Sequence, residues 1–258
     1  ANAHAALGDY SRALPLYQEA LAIQRQIHHR EGEGVTLGQL GRLFHQRGQE
    51  QLAILFLKQA INVREAIRFE MRGLPQNWQR SYRDTVAADY QFLADLLLQQ
   101  NRIVEAQQVL DLLKVQELDT YLHGVRGNAV TAGGLDFWQP EQEILDQFES
   151  HYQSAVALGA ELEALRRIPE VDRTPTQHQR ISELVQLEQA LNRQFNDFID
   201  SDVILDFLNQ LSITTQRQTF NPEDIAGLRD DLAQLRAALI YPLILEDRLE
   251  LVITTPHT

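Results

Sequence analysis

Residues 37–60, LGQLGRLFHQRGQEQLAILFLKQA, decide the fold of this chain. Apolar and small residues in the first half recur at spacings of three and four, which makes one stripe along an α-helix: Leu37, Leu40, Gly41 and Phe44. Gly48 then marks a turn, because glycine tolerates a left-handed backbone. Ala53 and Ala60 are small enough to let the second helix pack closely against the first. The stretch predicts two antiparallel helices joined by a tight turn.

The same pattern recurs elsewhere in the chain. Gly8 precedes Gly48 by 40 residues, and the residues after both glycines correspond: Ala13, Tyr17 and Ala20 match Ala53, Leu57 and Ala60. A third copy keeps the internal spacing with Asn101 at the turn, followed by Ala106, Leu110 and Leu113. The helix before it repeats the stripe as Tyr90, Leu93, Ala94 and Leu97. Stacked pairs of helices, and therefore a mainly α fold, are predicted.

This pattern resembles the tetratricopeptide repeat, although Leu37 stands where the family often has Trp and the closing Pro is absent. The spacing of 40 residues exceeds the family's usual spacing of about 34 residues, which implies helices lengthened by a turn or more. HEAT-type helical hairpins are the structural alternative, but they do not require the glycine and paired alanines at these offsets. The resemblance implies an α-solenoid over residues 1–122.

A linker and a long helical hairpin are predicted next. Residues 123–139 contain several glycines, no helical period and no phosphate-binding spacing, so we expect a surface loop. In residues 140–220, one amphipathic helix starts at Pro140 and a second follows Thr174, which with Pro175 and Gln177 forms a well-marked helix start. The two helices predict an antiparallel hairpin or coiled coil. Their stripes are Leu145, Phe148, Tyr152, Ala155, Gly159 and Leu162, and Ile181, Leu184, Glu188, Leu191, Phe195 and Phe198.

Residues 221–258 are predicted to form a helix and a β-hairpin. The helix has one apolar stripe: Ile225, Leu228, Leu232 and Leu235. The apolar period then changes from 3.6 to 2, and residues 238–245 and 249–254 read as two strands around Glu246-Asp247-Arg248. Two strands alone are marginal in water, so this hairpin needs more sheet. We therefore expect a piece of a longer polypeptide, with an α/β module that is cut short.

Three further stretches resemble a larger protein family: residues 107–118 (QQVLDLLKVQEL), 194–198 (QFNDF) and 241–251 (YPLILEDRLEL). They are similar to bacterial proteins in which tetratricopeptide repeats precede a CHAT domain, the caspase-like and separase-like peptidase module. The resemblance implies that the β-hairpin is the entrance to that module and that its catalytic His and Cys lie beyond Thr258. None of that module's functional residues falls within this chain.

Composition narrows the classes of function. The 258 residues carry 36 acidic and 23 basic side chains, a formal charge of −13, which repels phosphate backbones and anionic lipid surfaces. We therefore expect no nucleic acid and no membrane partner. The chain has no cysteine, which excludes disulfides, thiolate zinc sites and a cysteine nucleophile from these residues. No signal peptide and no apolar run of membrane-spanning length is apparent, so the expected location is cytoplasmic.

No catalytic, cofactor-binding or metal-binding residue is predicted. His28 and His29 are adjacent, so their side chains point about 100° apart on a helix and cannot share one ion. An acidic run lacks the glycine and the bidentate glutamate of a calcium loop: Asp197, Asp200, Asp202 and Asp206. These side chains are better explained as a solvated helix face.

The remaining candidate site is a groove for a protein or peptide partner. In a tetratricopeptide array the first helices of successive repeats line a concave surface, where a peptide would meet the polar residues beside the buried stripes. These residues are Arg42, His45 and Gln46 in one copy and Gln91, Asp95 and Gln99 in the next.

The predicted function is protein recognition and scaffolding, with the repeats binding a peptide or partner domain and positioning or regulating the downstream peptidase module. One alternative is an enzyme class, in which the chain is the regulatory N-terminal part of a caspase-like cysteine peptidase. The other is an oligomerising helical rod that self-associates through residues 140–200.

Overall fold

The computed structural model describes residues 1–121, 134–202, 204, 206–207, 233–234, 236–245 and 247–255, and most of them are α-helical. The helices are α1 (Asn2–Ala6), α2 (Tyr10–Gln26), α3 (Arg30–Gln46), α4 (Glu50–Glu70), α5 (Gln76–Gln99), α6 (Ile103–Tyr121), α7 (Gln139–Arg166) and α8 (Pro175–Ile199), and the strands are β1 (Leu239–Ile244) and β2 (Leu249–Thr254). The chain divides into two compact units, unit 1 (Ala1–Phe56 and Phe137–Gln210) and unit 2 (Leu57–Asp136 and Leu211–Thr258).

Four turns between helices share one backbone geometry. Each contains one residue with a positive φ: Gly8 (74°), His28 (55°), Gly48 (72°) and Asn101 (59°). At Gly48 the N–H bonds to the carbonyl of His45 (2.8 Å), and the next N–H, that of Gln49, bonds to the carbonyl of Phe44 (2.9 Å). This Schellman arrangement satisfies the last carbonyls of the preceding helix. The predicted left-handed turns at Gly8, Gly48 and Asn101 are confirmed.

The turn at His28, which was not predicted, accounts for the 40-residue repeat. The positive-φ residues 8, 28 and 48 are evenly spaced along the chain, and α2 and α3 each contain 17 residues. One such helix and the turn after it occupy half of the 40-residue interval, so two helices with their turns make one repeat. Histidine is a less usual residue than glycine for a left-handed backbone, so the sequence pattern did not mark this turn.

The small residues at the repeat positions are buried. Ala13, Ala53, Ala60 and Ala106 have no exposed surface, whereas Ala20 is half-buried. The apolar stripes of α3 and α5 are buried as well: Leu37, Leu40, Gly41 and Phe44, and Tyr90, Leu93, Ala94 and Leu97. The predicted close packing of paired helices is therefore confirmed at every one of these alanines except Ala20.

In unit 1, α7 and α8 pack against each other and against α2. A chain of aromatic rings links these helices to the repeats. Phe44 of α3 stacks on Phe56 of α4 with ring centroids 5.1 Å apart, and Phe56 meets Phe148 of α7 edge-on at 5.1 Å. Phe148 in turn meets Phe195 of α8 at 5.3 Å. Each such pair stabilises the fold by about 0.5–1.5 kcal/mol beyond its buried area.

The starts of α7 and α8 are both capped. Thr174 accepts a hydrogen bond from the N–H of Gln177 (3.3 Å) and donates its own N–H to the Gln177 side chain (2.9 Å), so the predicted start of α8 is confirmed. In the predicted stripe of α7, Leu145, Phe148, Tyr152 and Leu162 are buried, but Gly159 is exposed. Two packed helices cover only a narrow seam of each other, which leaves the edge of a wide stripe in solvent.

In unit 2, α5 packs against α6, and ion pairs join both helices to α4. Lys58 of α4, only 1% exposed, donates to Glu105 of α6 at 2.8 Å. Arg64 of α4 pairs with Asp89 of α5 at 2.5 Å. Removing one partner of a buried pair costs about 3–5 kcal/mol, because the other charge is left without compensation. The sequence pattern, which follows apolar stripes, did not predict these contacts.

The next described residue after Tyr121 is Gly134. Its neighbour Leu135 bonds to Asn62 of α4. The side chain of Asn62 donates to the carbonyl of Leu135 (2.9 Å) and accepts from its N–H (2.6 Å). Gly134 has a φ of 76°, and a Cβ there would lie 2.6 Å from the Asn62 side-chain oxygen. Most of the predicted linker 123–139 and most of the predicted helix after Asn221 lie outside the described residues.

β1 and β2 pair antiparallel, with Leu239 opposite Thr254 and Ile244 opposite Leu249. The N–H of Leu245 bonds to the carbonyl of Arg248 at 2.9 Å and closes the turn between the strands. In the part of the chain that the structure describes, this sheet has two strands.

Two glycine-to-alanine variants test the turn geometry. We expect Gly48→Ala to lower the free energy of unfolding by about 1–2 kcal/mol, because a side chain at positive φ is strained. The matched control is Gly159→Ala, at an exposed position inside α7. An added Cβ meets nothing within 4 Å at either residue, so only the backbone differs. The control should raise stability by about 0.5–1 kcal/mol through helix propensity. Equal effects in urea unfolding would contradict this account of the turn.

Candidate partner-binding faces

The α3 face, defined as Arg42, His45 and Gln46, lies on the last two turns of α3 in unit 1. Arg42 and His45 are half-buried and Gln46 is exposed. These residues lie beside the buried stripe that ends at Phe44, so the helix holds their backbones firmly while their polar ends reach the surface. The His45 ring nitrogen Nδ1 lies 2.8 Å from a carboxylate oxygen of Glu50, in the first turn of α4. This contact orients the imidazole across the α3–α4 turn.

The α5 face, defined as Gln91, Asp95 and Gln99, lies in unit 2. Its three residues are four positions apart and therefore follow one side of the helix. Gln91 and Asp95 are half-buried, and Gln99 is exposed. The Gln99 amide donates to a carboxylate oxygen of Asp95 at 3.0 Å. The structure thus brings Asp95 and Gln99 together in direct contact, as their spacing on a helix favours.

Arg248 is a member of this arrangement that sequence reasoning missed. Its guanidinium lies in the β-hairpin turn and donates to Asp95, to Glu250 (2.8 Å) and to Asp247 (3.1 Å). The hydrogen bonds to Glu250 and Asp95 raise the pKa of Arg248, which stays positively charged. Asp95 is therefore already bound within the chain to Arg248 and Gln99, and the amide of Gln91 and the carbonyl oxygen and second N–H of the Gln99 side chain are the remaining polar groups of the α5 face.

A polar layer beneath the α5 face fixes this helix on α4. The Tyr90 hydroxyl donates to Glu65 of α4 at 2.7 Å, and Glu65 also accepts from Arg68 at 2.9 Å. Tyr90 and Glu65 are both buried. Gln91 follows Tyr90 directly, so the tyrosine sets the position from which Gln91 reaches the surface.

In unit 1, Arg25 of α2 joins three helices. It donates to Glu33 of α3 (2.6 Å) and Glu149 of α7 (2.8 Å), and its guanidinium lies 4.9 Å from the centre of the Tyr152 ring. Burial alone would lower the pKa of Arg25, but the bond to Glu33 and the nearby carboxylates raise it. Burial raises the pKa of Tyr152. The cluster is suited to holding the helices together, because the single charge of the arginine is matched by two carboxylates inside the fold.

The described residues contain no group of three or more His, Cys, Asp and Glu side chains that is placed to hold a metal ion. No helix among them combines the length and the apolar character that crossing a bilayer requires.

Comparison with known proteins bears on the repeats. Residues 1–66 match the family model described as tetratricopeptide repeat. The matched region spans α1 to α3 and most of α4, including the three residues of the α3 face. No curated protein and no solved structure matches the chain significantly. The chain therefore contains tetratricopeptide repeats, and the α5 face lies outside the matched region.

Two tyrosine variants test the packing of unit 1. The hydroxyl of Tyr152 is buried and has no hydrogen-bonding partner among the described residues, so Tyr152→Phe should leave the free energy of unfolding unchanged or raise it by up to about 1 kcal/mol. The control, Tyr17→Phe, removes a hydroxyl that donates to Asn2 at 2.8 Å and should cost about 0.5–1.5 kcal/mol. The measurement is the free energy of unfolding of both variants in urea. A larger loss of stability for Tyr152→Phe than for Tyr17→Phe would contradict this account of the two hydroxyls.

Proposed function

We propose that this tetratricopeptide-repeat chain is a protein-interaction module that binds a peptide or partner domain through the first helices of its repeats. The observation that carries the proposal is the match of residues 1–66 to the repeat, because such repeats commonly mediate contacts between proteins. A scaffold built in this way needs rigid helices with polar side chains at their accessible edges. The buried stripe of α3, next to Arg42 and Gln46, supports that arrangement in unit 1.

The chemistry of the two faces supports recognition of an extended peptide. Arg42 and the amides of Gln46, Gln91 and Gln99 can donate hydrogen bonds to backbone carbonyls and carboxylates of a partner. Val35, one of the large apolar side chains that stay exposed, lies seven residues before Arg42 and adds an apolar contact on the same side of α3. We propose the two faces as separate binding surfaces, the α3 face on unit 1 and the α5 face on unit 2.

The location and the partner class are part of the proposal. We propose a cytoplasmic module whose ligands are proteins, with neither nucleic acid nor membrane among them. The formal charge of −13 supports this choice, because it repels both kinds of anionic surface. The division into repeats (1–122), linker (123–139), helical hairpin (140–220) and C-terminal segment (221–258) is proposed with it.

Affinity capture tests the two faces separately. We expect Arg42→Ala with Gln46→Ala, or Gln91→Ala with Gln99→Ala, to reduce recovery of a specific partner by about tenfold or more, as removal of central interface residues does. The matched control is Arg12→Ala, whose side chain on α2 is 74% exposed and lies on neither face. The measurement is quantitative mass spectrometry of proteins captured from the source cells. Unchanged recovery with both double variants would remove these faces from the proposal.

A second candidate function follows from the β-hairpin. Four apolar side chains on one face of the hairpin are each more than half exposed: Ile240, Leu249, Leu251 and Ile253. Such a face is typical of a sheet that continues in a larger fold. We propose as the alternative that the chain is the regulatory part of a bacterial caspase-like cysteine peptidase of the CHAT type, with the catalytic His and Cys beyond residue 258.

The gene sequence after residue 258 tests this alternative directly. We expect a His and then a Cys, each at the end of a predicted strand, because both side chains must reach the same edge of a sheet to form the catalytic pair. A stop codon or an unrelated domain at this position would contradict it. The outcome does not affect the α3 and α5 faces.

Self-association through residues 140–200 is the weaker alternative. The α7–α8 hairpin presents Leu187 with about half of its side chain exposed, and two such hairpins could form a four-helix bundle. Sedimentation velocity of the chain at increasing concentration distinguishes a monomer from such a dimer.

A further inference from the structure

The register of the β-hairpin determines which backbone groups face away from it. The bond between Leu245 and Arg248 shows that these residues form a hydrogen-bonded pair, and such pairs alternate along an antiparallel ladder. Pro242 and Leu251, which lie opposite each other, therefore belong to a pair without hydrogen bonds. Their backbone groups, and those of every second residue from them, point away from the partner strand.

The outer edges of the two strands differ. On β1 the central outward residue is Pro242, which has no N–H, and a proline in this place blunts an edge against further pairing. On β2 the outward residues are Leu249, Leu251 and Ile253, and each keeps both its N–H and its carbonyl. Within the described residues the sheet has no third strand. Among the residues that the structure describes, the edge of β2 is thus open, whereas Pro242 removes an N–H from the edge of β1.

The side chains of β2 favour addition of a strand. Leu249, Leu251 and Ile253 share one face and are 58, 54 and 53% exposed. An open edge next to exposed apolar side chains is a template for strand pairing, which natural proteins usually protect with charges or proline. In this hairpin the negatively charged side chains next to the edge, Asp247 and Glu250, lie at the turn end of β2. The backbone provides the affinity in such pairing, and the alternate side chains provide the specificity.

Two features attach the hairpin to unit 2. Leu245 is buried at the base of the turn, and Arg248 bonds to Asp95 on α5. An isolated two-stranded hairpin is marginally stable at best, so these attachments reduce the ordering cost of binding a third strand.

We propose that β2 binds an extended segment of a partner protein, with apolar residues at alternate positions and lysine or arginine between them. The apolar residues pack beside Leu249, Leu251 and Ile253. The basic residues lie on the opposite face near Glu250, where three carboxylates share the guanidinium of Arg248 and leave an excess of negative charge.

A second copy of this chain is the poorer occupant. Each copy carries a formal charge of −13, so two acidic chains repel one another. Three half-exposed aliphatic side chains also fall well short of the roughly 800 Å² per partner that a stable interface buries. A short basic strand avoids both difficulties, because its charge is complementary and it pairs through its whole backbone.

A capped, fluorescein-labelled heptapeptide of alternating lysine and valine is the probe, and fluorescence anisotropy with the whole chain is the measurement. We expect one binding site and a loss of affinity of about tenfold or more in Leu251→Pro, which removes one outward N–H and mirrors Pro242. Because that variant can disturb the hairpin, Leu251→Lys is the second one. It keeps the N–H, repels the probe and should also weaken binding, whereas Leu16→Lys, at an exposed site on α2, should not.

Wild-type affinity in both Leu251 variants would overturn the proposal. A dimer that forms with increasing concentration in sedimentation and that Leu251→Lys abolishes would also overturn the proposal, because it would assign the edge of β2 to a second copy of the chain. Loss of probe binding in the complete gene product would assign it to the protein's own later strands. None of these variants alters the α3 or α5 face, so the proposed function is tested independently.

Discussion

The left-handed turn that follows each helix of the first repeats is the constraint on which the rest of the structure depends. A positive φ at residues 8, 28 and 48 reverses the chain within a few residues, so consecutive helices must run antiparallel and in contact. That contact leaves no room for large side chains at the crossing points, which explains why alanine occupies Ala13 and Ala53. The even spacing of the turns then fixes the helix length, and with it the position of Arg42 and Gln46 at the surface.

Unit 2 is held together by a different kind of interaction. Its α4 segment buries Lys58, Arg64 and Glu65, and these side chains bond to α5 and α6. A purely apolar interface between helices tolerates small slips, whereas a charged pair has one low-energy geometry and leaves a costly unpaired charge in every other. The ion pairs therefore specify how α5 lies on α4. The bond between Tyr90 and Glu65 then fixes the position of the adjacent Gln91.

The features that could be predicted from the sequence are those that depend on local sterics. Glycine or asparagine at a left-handed turn and apolar residues at helical spacing are short-range signals, so the turns at Gly48 and Asn101 and the stripe through Phe44 could be read without coordinates. Contacts between charged residues far apart leave no such signal. Arg248 and Asp95 are 153 positions apart, and neither position differs from an ordinary surface charge in the sequence. The same holds for Arg25, which bonds to Glu149 124 positions away.

The contact between Arg248 and Asp95 joins the β-hairpin to a residue of the α5 face, and its strength decides whether the two surfaces act together. The side chains are 36% and 25% exposed, and a pair in such surroundings contributes little because water and salt screen its charges. Burial of Leu245 contributes more, about 1.5–3 kcal/mol for an aliphatic side chain. The hairpin is thus held mainly by its apolar base. The strand that we propose to add to β2 therefore need not displace Asp95, and the amide of Gln91 remains accessible to another partner.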